Sequence, residues 1–291
     1  MSVNAAYLGL ILIWSTTPLA IKWSGDGPGF LFAVMARMLI GALVCLVILA
    51  LMRKRLVWHK KAIYTYLSAS LGIFGSMLCV YWGAQHIPSG LVSVLFGLTP
   101  LLTSVFAALI LKDDRLGGNQ LVGIALAISG LIVIFYTDIA TSHFAIKGII
   151  AVIIATTLHS LSTVMVKKTG TDLPGIVVST GALLISSLLF LTTWLLGNNQ
   201  IPDILPIKAL GSIFYLGLVG TVVGFTLFYY ALNNMKASSI GLIPLITPVL
   251  ALIFGYLFNS EEIGWTLLAG AGLILSGLFA HNWHTFLNRF R

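Results

Sequence analysis

The sequence predicts an all-α integral membrane protein, ten transmembrane helices built as two inverted five-helix repeats. Three observations carry that expectation. Apolar runs of about 20 residues, the length an α-helix needs to cross a bilayer, recur along the whole chain. The chain is 58% hydrophobic and 8% charged with mean hydropathy +1.03, more apolar surface than a soluble domain of this length could bury. And residues 81–130 are restated weakly by residues 229–277. Tyr81 falls opposite Tyr229, Thr99-Pro100 opposite Thr247-Pro248, and Phe106 opposite Phe254. After a one-residue slip, Asp114 meets Glu261, Gly123 meets Gly270 and Gly130 meets Gly277. A duplicated membrane chain of this kind is most often a transporter.

Only helices and closed barrels satisfy their backbone groups in lipid. A barrel would show short alternating segments, and none is present. The formal charge of +8 sits in short connectors, so it orients the chain in the membrane and gives no nucleic-acid signal. Cys45 and Cys79 lie within apolar runs and read as small core residues rather than a disulfide or metal pair. No cofactor or metal is expected. The N-terminus enters an apolar run without a basic region or small-residue cleavage site, so it reads as a first helix.

About ten spans follow, at roughly 3–22, 29–51, 62–84, 89–111, 118–137, 146–167, 175–196, 208–232, 238–258 and 264–283. Tight turns join several, such as Gly25-Asp26-Gly27-Pro28-Gly29 and Gly197-Asn198-Asn199-Gln200. With the N-terminus inside, the inner connectors hold Arg53, Lys54, Arg55, Lys60, Lys61, Lys112, Arg115, Lys167, Lys168 and Lys236. The outer ones keep Lys22, Lys147 and Lys208. That asymmetry puts both termini in the cytoplasm. Five spans is an odd number, so residues 141–291 re-enter the membrane upside down relative to residues 1–140. Any solute site then lies between the halves near mid-depth. A monomer suffices for that arrangement, and the sequence leaves an oligomer open.

Several stretches resemble the drug/metabolite transporter superfamily, in its ten-helix EamA-like branch. They are W-S-T-T-P-L-A-I-K at 14–22, A-R-M-L-I-G-A-L at 36–43, L-T-P-L-L-T in span four, and the matching hairpins that open at Asp113 and Glu261. The resemblance covers essentially the whole chain and is poor for the substrate. It implies a multi-pass protein of the bacterial inner membrane that carries amino acids, aromatic or other neutral ones, or related small metabolites, often outward. One departure is His159, where the family often has an aromatic residue.

The candidate residues follow. Pro100, Pro244 and Pro248 lie within spans, and each removes a backbone donor, as does Pro18 in span one. The freed carbonyls are either repaired by the hydroxyls of Thr99 and Thr247 or face solute at a hinge. Arg37 is the one base well inside a span, about eight residues or roughly 12 Å from its outer end. Unpaired, it would cost roughly 3 kcal/mol or more. No Asp or Glu lies inside any span. Arg37 is therefore expected to anchor span two to neighbouring backbone, with binding of a solute carboxylate as the alternative.

His159 is either hydrogen-bonded structure or a cavity group able to take a proton. Aligning Lys22 with Lys167 sets Trp14-Ser15 opposite His159-Ser160. Trp14, Tyr81, Trp82, Phe96, Tyr229 and Tyr230 are either packing or a cavity lining for a small amphipathic solute. Gln85 and Asn233 pair across the halves and could bond its polar head. Gly123, Gly130, Gly264, Gly270, Gly272 and Gly277 are expected to let spans five and ten approach closely. Glu261 and Glu262, with Asp113 and Asp114, read as caps of the helices that follow them, or as solvated turns. The competing classes are an uptake permease, a scaffold, and an intramembrane Ser/His enzyme. The last lacks G-x-S-G, H-E-x-x-H and any carboxylate pair in a span.

Overall fold

The computed structural model describes residues 3–111, 117–138, 143–169, 173–197, 201–202, 204–224, 227 and 243–283. Ten helices stand among them. They are α1 (Val3–Gly25), α2 (Phe30–Leu51), α3 (Lys60–Gly83), α4 (Ser89–Leu111), α5 (Gly118–Asp138), α6 (His143–Thr169), α7 (Gly175–Leu196), α8 (Ile207–Val223), α9 (Ile243–Asn259) and α10 (Trp265–His281). Seven, α1 to α7, are long and apolar enough to cross a membrane. The other three are shorter apolar helices. The expected eighth and ninth spans ran through 225–242, and only Leu227 of that stretch is described.

The bundle is arranged for lipid. Large apolar side chains such as Leu43, Val47, Leu109, Ile132, Leu188 and Leu257 are exposed, while the largely apolar interior also takes in many hydroxyls. Ser15, Thr156 and Thr180 are buried and donate to carbonyls one turn back in their own helices. Other hydroxyls join helices. Ser162 of α6 donates to the Ser68 carbonyl of α3 at 2.7 Å, and Ser186 of α7 to Ser70 Oγ at 3.1 Å. In lipid, where burying apolar surface gives little drive, small residues and such bonds bring helices together.

The main packing pairs are α2 with α7 and α8, α3 with α6 and α7, α4 with α6 and α9, and α1 with α8 and α9. The helices α5 and α10 pack chiefly on each other. Glycines permit that contact. A Cβ on Gly123 would sit 2.5 Å from the Gly277 carbonyl oxygen, and one on Gly130 would sit 2.6 Å from that of Gly270. The expectation for those four glycines holds. It fails for Gly272, whose surroundings are open, and for Gly264, which meets only the Thr266 hydroxyl at 3.8 Å.

Three stretches depart from the α-helical repeat. Leu71–Gly75 in α3, Ala107–Leu111 in α4 and Leu216–Val223 in α8 are π-helical. A π turn inserts a residue and re-aims the side chains after it, and such turns often mark functional sites.

Candidate functional site

The π-helical stretch of α8 builds the most informative cluster. Thr221 Oγ1 donates to the Leu216 carbonyl, five residues back, at 2.9 Å. That turns its oxygen toward α2, where it accepts from Arg37 Nε at 3.2 Å. Arg37 Nη1 donates to the Tyr81 hydroxyl at 3.4 Å, and the guanidinium carbon lies 5.9 Å from the Tyr81 ring centroid. Arg37 is 5% exposed and Tyr81 is fully buried. Arg37 of α2 thus bonds side-chain hydroxyls of α8 and α3, where neighbouring backbone was expected.

A second cluster lies where α4 meets α6. The helix α4 runs Ser89–Phe96, breaks at Gly97-Leu98, and restarts as Thr99–Phe106. Pro100 therefore sits in the first turn of a new segment, where its missing N–H costs nothing. The expected kink is a break. Ser160 Oγ donates to the Thr99 carbonyl at 3.1 Å, which ties the restart to α6. The His159 ring is tilted against Phe96 at 6.2 Å. Thr99 Oγ1 is buried without a hydrogen-bond partner, so the expected repair by that hydroxyl does not occur.

The remaining candidates are scattered. Trp14 packs with Ile13, Leu227 and Ile243. Ser15 is occupied by its own helix. Pro18 is buried within α1. Gln85 Nε2 donates to the Tyr81 carbonyl at 3.3 Å. Trp82 makes an edge contact with His86 at 4.6 Å, and His86 stacks on Phe144. Thr247 and Pro248 are buried in α9, and Pro244 opens it. Tyr229, Tyr230 and Asn233 lie outside the described residues.

Similarity to known proteins decides the family. The sequence model of the EamA-like transporter family matches residues 2–136 and again residues 146–283. The chain belongs to that family. Relatives of this EamA-like protein include the uncharacterized transporter YoaV of Bacillus subtilis, 27% identical over 99% of each chain. A Salmonella typhimurium protein named "Probable amino-acid metabolite efflux pump" is 27% identical over 73% of each. One from Streptantibioticus cattleyicolor named "Probable terminal-alkyne amino-acid exporter" is 24% identical over 98% of this chain and 96% of its own. A crystal structure with 19% identity superposes with a TM-score of 0.66 over 98% of both chains, which shows the shared fold.

Two features of this EamA-like chain escaped the sequence reading. Glu261 does not cap its own helix. It reaches from the α9–α10 connector to the start of α4, where Oε2 accepts from Ser89 N at 2.8 Å, Ser89 Oγ at 2.9 Å and Gly90 N at 3.4 Å. Its Oε1 accepts from Asn259 Nδ2 at 2.8 Å and pairs with Lys22 Nζ at 3.5 Å. Lys22 also donates to the Ile87 carbonyl, and Asn259 accepts from Trp23 Nε1. Burial pushes the Glu261 carboxyl up. The Ser89 amide, the Lys22 charge, the Asn259 amide and the Ser89 hydroxyl outweigh it and hold the carboxyl below its usual range. Second, His281 of α10 bonds Ser104 Oγ of α4 at 2.9 Å. Neither contact had a sequence signal, because both join residues far apart in the chain.

Proposed function

We propose that the protein is an exporter of amino acids, aromatic or other neutral ones, or of related small metabolites, in a bacterial inner membrane. In this reading, residues 1–140 and 141–291 are inverted repeats that alternate access to a site between them, with both termini cytoplasmic. The names of the Salmonella and Streptantibioticus relatives support the substrate class.

The observation that carries the two-half arrangement is the position of the π turns. The register that sets Tyr81 opposite Tyr229 also sets Leu71–Gly75 of α3 opposite 219–223, inside the π stretch of α8. The neighbours correspond as well. Gly72 of α3 would place a Cβ 2.6 Å from Ser162 Oγ of α6, and Gly220 of α8 would place one 3.8 Å from Thr17 Oγ1 of α1. The Lys22–Lys167 register sets Thr17 opposite Ser162. The packing pairs α3–α6, α3–α7 and α4–α6 become α8–α1, α8–α2 and α9–α1 when the halves are exchanged. The two matches of the family model, one in each half, agree with this reading.

The test is reconstitution in liposomes with a competition screen over amino acids and other small solutes, run with and without a proton gradient. Saturable flux of an amino acid is expected. No saturable flux of any solute would end the reading. Surface labelling should find the connectors around Lys60 and Lys236 on one side of the membrane, and opposite sides would remove the inversion. The His159→Ala variant should fold and transport more slowly. A wild-type rate there would move the solute path away from the Phe96–His159 contact.

A further inference from the structure

We propose that Arg37 receives the carboxylate of the transported solute. The inference rests on the transport reading above and names the chemical group that the site selects.

The guanidinium is buried, positive and short of acceptors among the described residues. A guanidinium offers five N–H donors in a planar fork. Here one goes to Thr221 Oγ1 and one to the Tyr81 hydroxyl. Both acceptors are neutral. Their distances, 3.2 and 3.4 Å, are long for a charged donor, whose bonds to a carboxylate run about 2.7–2.9 Å. The ion pair seen among the described residues is Lys22, in the last turn of α1, with Glu261 of the α9–α10 connector. The acidic residues that are described, Asp26, Asp138, Glu261 and Glu262, lie in connectors or at helix ends, so among the described residues the helix interiors hold this positive charge and no built-in counter-charge.

On one side the fork faces glycine of α8 rather than a side chain. A Cβ on Gly220 would lie 3.7 Å from Arg37 Nη2 and 3.8 Å from Thr17 Oγ1. A Cβ on Gly224, one turn on, would lie 3.7 Å from Trp14 Nε1. The π-helical α8 thus presents two side-chain-free positions along a strip bordered by a guanidinium, a hydroxyl and an indole N–H. A carboxylate accepts from such a fork through both oxygens. The Tyr81 ring under the guanidinium, with Thr221 behind it, fixes the orientation of the fork without neutralising it. The bland alternative is an anchor that holds α2 against α3 and α8. An anchor alone would be expected to satisfy its donors within the protein, and among the described residues two neutral acceptors meet this fork.

The experiment uses the full-length protein, in detergent and in liposomes. L-phenylalanine and 3-phenylpropionate carry the carboxylate. L-phenylalaninamide and 2-phenylethylamine lack it. Wild-type protein should gain thermal stability from the first two and little from the others. The Arg37→Gln variant should lose at least tenfold in apparent affinity for the carboxylates with no change toward the amide or amine. Arg37→Lys keeps the charge without the fork and should fall between. An Arg37→Gln variant that folds and keeps the wild-type preference overturns the proposal. If that variant does not fold, the wild-type profile and Arg37→Lys decide, and equal stabilisation by acid and amine overturns it. Liposomes that move no amino acid, while carboxylates still stabilise the protein through Arg37, would keep the anion site and discard amino-acid export.

Discussion

The helices α4 and α9 carry the same Thr-Pro step and treat it differently. In α4 the helix is interrupted at Gly97-Leu98 and Thr99-Pro100 opens a new segment. In α9 the helix passes through Thr247-Pro248 without a break. Proline alone therefore does not decide the outcome. The residue two before the Thr does. The repeat register sets Gly97 opposite Leu245. A Cβ on Gly97 would lie 2.8 Å from the Val94 carbonyl oxygen, a contact real side chains do not make, so the interrupted form needs glycine. Leucine at the matching place keeps α9 helical. One helix is jointed and the other continuous, and the two pack against each other.

That pair is stitched at one end by Glu261, and the largest effect is expected there. The carboxylate follows α9 and caps α4, accepting two backbone N–H groups, a hydroxyl, an amide and a lysine charge. The Glu261→Ala variant leaves the Ser89 amide and Lys22 without that partner. It should lower stability by about 3 kcal/mol, the scale for stripping one member of a buried, charge-assisted cluster. Because the folded carboxyl titrates below its unfolded value, the contribution is complete above the unfolded value and is lost as pH falls through the folded one. A melting-temperature series from neutral to acidic pH should therefore show a fall in the wild type that the Ala variant lacks. Parallel curves would mean that the cap contributes nothing.

Much of this was legible in the sequence, and the physical reason differs by feature. Apolar runs set the limits of α1 to α7 closely, because lipid imposes a length on every span. The close contact of α5 and α10 could be read from Gly123, Gly130, Gly270 and Gly277, because a missing side chain is visible in the sequence itself. The burial of Arg37 followed from its depth. Its partners did not, since Thr221 reaches it only through a π turn, which leaves no spacing signal in a uniformly apolar helix. Local rules see Glu261 only as a cap or a solvated turn, because they describe a helix and the residues next to it, whereas its partners Ser89 and Lys22 are supplied by packing. Proximity to Pro100 leaves Thr99 open between kink repair and facing solute, and the break at Gly97 removes the need for repair.

The joint itself gives the intermediate effect. The Gly97→Ala variant places a methyl against the Val94 carbonyl, so the segment must either open the contact or straighten toward the α9 form. A loss of about 1–3 kcal/mol is expected, typical of overpacking against a fixed group. The reciprocal change Leu245→Gly should loosen α9 by about 1 kcal/mol, the helix-interior cost of glycine, without moving Thr247 out of the core. If Gly97→Ala were neutral, the joint in α4 would have some cause other than glycine.

The smallest expected change in stability separates structure from function at the joint. Thr99 Oγ1 is buried and accepts or donates nothing within the protein, whereas the Thr99 carbonyl is held by Ser160. Replacing the hydroxyl by a methyl in Thr99→Val removes an unpaired polar atom. It should be neutral or stabilising by about 1 kcal/mol, since burying an unsatisfied hydroxyl carries a penalty of that order. The backbone bond from Ser160 is untouched. Transport by the same variant then reports on the hydroxyl alone. A fall in flux with unchanged or higher melting temperature would mean that the orphaned hydroxyl meets the solute beside Phe96 and His159, and that α4 is jointed in order to present it. Unchanged flux would make the joint a packing accommodation between α4 and α6, and the solute path would have to run on the Arg37 side of the bundle.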